Sequence, residues 1–179
     1  MKNLFLLLFI TIFLNGCERD YIRNNTLPPL TNTGENTAGC LVNGEVFVPK
    51  SPLFSERLYR KYKDDFFVLT IYQKRTNETK SLNIRCKIPF SQEGIIGVYP
   101  LNAEDNLDLE SGAGYYHAYN SSSLNDIYYS TTSDFVGELI ITYYNHEKFI
   151  ISGTFWFDAI NSEGEVMEVS DGRFDVKFY

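Results

Sequence analysis

In GELIITYYNHEKFIISGTFWFDAI, residues 137–160, apolar side chains recur at every second position. Leu139, Ile141 and Tyr143 share one side, and Phe149, Ile151, Phe155 and Phe157 share another. An extended chain sends successive side chains to opposite faces, so each half of the stretch carries one apolar face. Asn145-His146 between them are residues that suit a turn. The stretch is predicted to be two antiparallel strands with one side turned to a core.

The neighbouring segments carry the same period. EVMEVSDGRFDVKFY, residues 165–179, predicts a hairpin about Asp171-Gly172. That register pairs Val169 with Phe174 and Met167 with Val176 inside, and sets Glu168 opposite Asp175 outside. LVNGEV, residues 41–46, predicts a tight hairpin, because Asn43-Gly44 tolerates the positive φ of a type I′ turn. DFFVLTIYQKR (65–75) and KSLNIRCKIP (80–89) read as strands joined by Thr76-Asn77-Glu78-Thr79. Phe67, Leu69 and Ile71 line one face of the first; Leu82, Ile84, Cys86 and Ile88 line one face of the second. GIIGVYPL (94–101) adds a strand with Gly97 at a bulge. PLFSERLYRKYKDD (52–65) is the best helical candidate, but it is short and fits a loop equally well. The fold class is therefore all-β and antiparallel. Long regular C-terminal hairpins favour a β-sandwich, with a partly open, lipocalin-like up-and-down β-barrel as the alternative.

At the N-terminus Met1-Lys2-Asn3 precedes the apolar run LFLLLFITIFL, Leu4 to Leu14. Those 11 residues reach only about 16 Å as a helix, short of the roughly 30 Å hydrocarbon core, so the run is an export signal rather than a span. It ends in LNGC, which resembles the lipobox of bacterial lipoproteins, with Cys17 as the residue acylated after cleavage behind Gly16. Two or three acyl chains give lasting attachment where one holds only marginally. Residues 18–37 are polar, carry Pro28-Pro29 and show no apolar period, so residues 17–37 read as a lipidated cysteine and flexible tether. The layout expected is a signal peptide over 1–16, the tether over 17–37 and a single β domain over 38–179.

Export bears on the other two cysteines. Cys40 and Cys86 would sit where disulfides persist, and a bridge between them is one reading. Two separate core thiols are the other, since Cys86 falls on an apolar face. The formal charge is −7 and becomes −8 once Lys2 is removed, which argues against nucleic acid as a partner.

The chemistry-bearing residues form no catalytic constellation. Of the two histidines, His146 sits in a predicted turn and His117, in GYYHAYN, has no acid or nucleophile at a recognisable spacing. Zinc spacings and phosphate loops are absent from the sequence, and no cofactor or metal is expected. Glu168, Asp175 and Asp171 suggest a hard-cation site, but a solvated strand face is the favoured reading. The acidic run NAEDNLDLE, Asn102 to Glu110, lacks the glycine and terminal glutamate of an EF-hand loop. Tyrosine is the unusual feature, with 13 in the chain and five of them, Tyr115, Tyr116, Tyr119, Tyr128 and Tyr129, within GYYHAYNSSSLNDIYYS. Rigid rings interleaved with Ser, Asn and Gly suit a binding surface, and equally suit a strand with one ring inside and the next outside.

NTAGCLVNGEVFVP near the start and GELIIT…IISGTFWFDAINSEGEVMEVSDGRFDVKFY at the end resemble an uncharacterised family of Bacteroidetes-type lipoproteins, known as a domain of unknown function. The likeness is carried by the two ends of the domain and is weak from Ser51 to Asp134. This chain departs from the family pattern at Trp156, where a polar residue is usual, and at the Asn145 turn. The resemblance implies export, lipid anchoring, a β domain and no known activity or cofactor. Two roles follow as expectations: a non-catalytic binding or assembly module at the cell envelope, anchored in the outer membrane and holding a glycan, peptide or envelope protein; or an envelope hydrolase acting on glycans through a carboxylate pair.

Overall fold

The computed structural model describes residues 26–50, 58–63, 65–75, 77–88, 95–103, 111–119 and 126–178. The signal run and Cys17 lie outside them. The strands are β1 (Thr37–Val42), β2 (Glu45–Phe47), β3 (Leu58–Lys63), β4 (Phe66–Arg75), β5 (Glu78–Lys87), β6 (Gly97–Leu101), β7 (Gly112–Tyr119), β8 (Ile127–Ser130), β9 (Gly137–Asn145), β10 (Ile150–Ile160) and β11 (Val166–Lys177). No helix occurs among the described residues, so the all-β, antiparallel expectation holds.

Pairing links them in the order β2-β1-β11-β10-β8-β7-β5-β4-β3, with β9 bridging β10 to β6. One strongly curled sheet results, a half-barrel in which the inner faces meet as the core. Sheet twist turns the first strands toward the last. Lys50, just past β2, bonds to Tyr72 and Lys74 of β4 at 2.9 and 2.7 Å. Arg60 of β3 donates from Nε to the Lys177 carbonyl at 2.8 Å.

Most of the predicted faces are realised. Phe67, Leu69, Ile71, Leu82, Ile84, Cys86 and Ile88 are fully buried, as are Leu139 and Phe157. Asn43 and Gly44 take φ of 49° and 79° in the β1–β2 turn, the conformation their types predict. In the β9–β10 hairpin, Tyr143 pairs with Ser152 but Ile141 with Gly153. The extra residue, Thr142, shifts the alternation, so Tyr144 rather than Tyr143 packs on the core.

The C-terminal expectation is corrected. Residues 166–177 form one continuous strand, and the true turn between β10 and β11 is Asn161–Glu165, with Gly164 at φ 83°. Asp171 has φ 52°, yet it makes a bulge. Phe155 faces Gly172 and Phe157 faces Val169, so Trp156 alone opposes both Ser170 and Asp171. Residues 58–63 are likewise strand β3 rather than helix, and Glu78-Thr79 belong to β5, not to a connection.

Asp175 is fully buried rather than outside with Glu168. It accepts from Thr31 Oγ1 at 2.7 Å, from the Thr33, Gly34 and Glu35 amides at 2.9–3.2 Å, and from Ser152 Oγ at 2.7 Å. Burial pushes its carboxyl up, and these donors outweigh that and hold it below the usual carboxylate range. Part of the segment read as tether is thereby fastened across β11, and Asn36 Oδ1 continues the contact by accepting from the Lys177 amide at 3.0 Å. A cleft of about 380 Å³ beside this strap has Pro28, Pro29, Ala38, Val48 and Leu58 among its lining residues.

Candidate functional site

At one end of the curl the apolar stripe of β5 gives way to polar residues on the same face. Inward positions run Ile84, Leu82, Lys80, Glu78, and the register with β7 sets Leu82 opposite Tyr115 and Lys80 opposite His117. Tyr115 in turn pairs with Tyr129 of β8. Three strands therefore bring two rings, an imidazole, an ammonium and a carboxylate together, and β2 adds Phe47.

Tyr115 lies edge-on to Phe47 at 5.7 Å between centroids and to both Tyr129 and His117 at 6.4 Å. Such edge-to-face arrangements set the positive ring edge against a negative face. His117 Nε2 is 2.7 Å from Glu78 Oε1, and Lys80 Nζ is 3.3 Å from the same oxygen. Burial pushes the Glu78 carboxyl up, but the hydrogen bonds from His117 and Lys80 outweigh it and hold the group below its ordinary value. Tyr129 donates its hydroxyl to Glu165 Oε2 at 3.1 Å, and Asn161 Nδ2 donates to the same oxygen at 2.8 Å. Partial burial and the bond to Glu165 raise the Tyr129 phenol. The cluster offers ring faces, a donor-rich ammonium and carboxylates at the edge of the core.

The five predicted tyrosines do not form one face. Tyr115 is buried and Tyr129 half-buried inside, whereas Tyr116 pairs with Tyr128 outside, where Tyr128 is exposed. Tyr116 donates to Asp126 Oδ2 at 2.6 Å, which raises its phenol. Tyr119 stands opposite Glu78 in β7, and its ring lies outside the described residues. Sequence reasoning missed Phe47, Glu78, Lys80 and Glu165; carrying the period of Leu82 and Ile84 back two more steps would have found Lys80 and Glu78.

Cys40 and Cys86 are free, fully buried thiols in this structure. Burial pushes both up, Cys86 to about 12. His146 meets Tyr144 Oη at 3.2 Å in the turn region after β9. Asp175, saturated by its donors, is not available to share a cation with Glu168. Among the described residues no group of three His, Cys, Asp or Glu could hold a metal ion. Of the acidic run only Asn102 and Ala103 are described.

Residues 57–176 match the sequence profile of a family described as Domain of unknown function (DUF6252). The match spans the middle of the chain as well as its C-terminal end, and leaves out β1 and β2. No curated protein and no solved structure matches the chain.

Proposed function

We propose, for a chain that belongs to the DUF6252 family of unknown function, that it is a lipid-anchored cell-envelope protein whose β domain binds a ligand without turning it over. The observation that carries the binding reading is the cluster of Tyr115, Tyr129, His117, Glu78 and Lys80 at one end of the curled sheet. Rings and a carboxylate held by an imidazole and an ammonium suit a glycan or peptide, whose apolar surface stacks and whose polar edges hydrogen-bond. Anchoring rests on LNGC and the short apolar run before it, with Cys17 carrying the acyl chains and the outer membrane as the destination.

Cells expressing the full chain are expected to incorporate labelled fatty acid into it and to carry it in the membrane fraction. Cys17→Ala is expected to lose both, and label retained in that variant contradicts the anchor. Ligand capture is read by incubating the full chain with envelope oligosaccharides and peptides and weighing the recovered ligand. Intact ligand supports a binding module; shortened glycan means a hydrolase.

A further inference from the structure

The outer face of the sheet holds a second set of groups that the cluster around Tyr115 does not use. Trp156, the single tryptophan in the chain, points outward from β10 between inward Phe155 and Phe157 and is 40% exposed. It borders a cleft of about 260 Å³ lined by Leu30, Thr154, Phe155, Trp156, Asp171, Gly172 and Arg173. Three separate features of the fold build this cleft. The bulge puts Ser170 and Asp171 opposite the indole, which re-aims the Asp171 side chain. The strap fastened to Asp175 places Leu30 on the rim, one residue before Thr31 donates to that carboxylate. Glu138, directly across the β9–β10 pairing, accepts from the indole Nε1 at 3.2 Å and so fixes the ring plane.

We propose that this cleft binds a neutral saccharide, one sugar ring stacked on Trp156. The indole presents a flat apolar surface, which matches the C–H face of a pyranose. Arg173 Nη2 and Asp171 Oδ1 stand 3.6 Å apart at the other wall, a donor and an acceptor side by side that suit a pair of neighbouring hydroxyls. Glu138, Asp171 and Arg173 together carry one net negative charge, which disfavours an anionic ligand. Clefts that bury drug-sized ligands run from roughly 300 to 1,000 Å³, so this smaller one takes a single ring, with the rest of an oligosaccharide lying along the strand face. The site goes beyond the binding reading above: it lies on the opposite side of the sheet from Tyr115 and stands or falls separately.

The single tryptophan makes the test direct. Full-length protein is titrated with neutral trisaccharides of glucose, mannose, galactose and N-acetylglucosamine, and indole emission is followed. A saturable change with at least one series is expected. Trp156→Ala, read by calorimetry, and Arg173→Gln are each expected to weaken that binding tenfold or more with the melting temperature retained. Glu147→Gln, an exposed substitution in the β9–β10 turn, is expected to leave the titration unchanged. Emission unmoved by every series, or binding that survives Trp156→Ala, overturns the proposal.

Discussion

Thr31 and Asp175, 144 residues apart in sequence, share a hydrogen bond of 2.7 Å that fastens the start of the domain to its last strand. Four further donors converge on the same buried carboxylate, so Asp175→Asn turns an acceptor into a partial donor facing other donors. The expected loss is about 2–4 kcal/mol, read by urea unfolding of the full chain. A loss below about 0.5 kcal/mol would mean that the strap does not contribute to stability.

The same carboxylate sets a pH dependence. Its folded pKa is lowered, so its contribution is fully present above the unfolded value of about 3.9 and disappears as pH falls through the lower folded value. Acid unfolding of the native chain should therefore steepen below pH 4, and Asp175→Asn should flatten that part of the profile. Parallel profiles for the two proteins would contradict this.

The bulge makes two opposite predictions at adjacent residues. A Cβ on Gly172 would collide with the ring and carbonyl of Phe155, so Gly172→Ala is expected to cost about 1–3 kcal/mol. Asp171 already sits at φ 52°, so Asp171→Gly relieves a strained backbone and should be neutral within about 1 kcal/mol. Equal losses at both positions in thermal unfolding would contradict the bulge.

The tyrosines separate by face. Tyr115→Ala empties a core position and is expected to cost about 3–5 kcal/mol, by analogy with other large aromatic truncations. Tyr128→Ala, on the outer side, should stay within about 0.5 kcal/mol. Melting temperatures of the two variants check the assignment, and the reverse order would refute it.

Both core thiols should resist alkylation. With the Cys86 pKa near 12 and Cys40 also raised, iodoacetamide at pH 8 should label neither in the folded chain and both in denaturant without reductant. Failure of either to label in denaturant would mean that they are bridged.

The strand faces were legible in the sequence because burying one side of a strand leaves a local trace: the period-two runs at Phe67–Ile71 and Leu82–Ile88 are all buried. The Asn43-Gly44 turn was legible for the same reason, since its positive φ is a property of the residues themselves. Asp171-Gly172 was misleading, because positive φ serves a bulge as well as a turn, and only the partner strand β10 distinguishes them. Asp175 reads as a surface carboxylate until residues 31–35, far away in sequence, are brought onto it. The tyrosine segment gave its rings but not their sides. Glu78 was hidden by its composition, a polar residue in a polar run, although it lies at the end of an inward-facing stripe.

Calorimetry of the full chain with envelope oligosaccharides and peptides tests whether the end of the curl formed by Tyr115, Tyr129, His117, Glu78 and Lys80 is a ligand-binding surface. Native protein should bind at least one of them saturably and return it intact, with affinity reduced tenfold or more in His117→Ala and Glu78→Gln while both variants melt within a few degrees of the native chain. Binding unchanged in both variants, or no saturable binding to any of these ligands, would rule out this end of the curl as the binding surface.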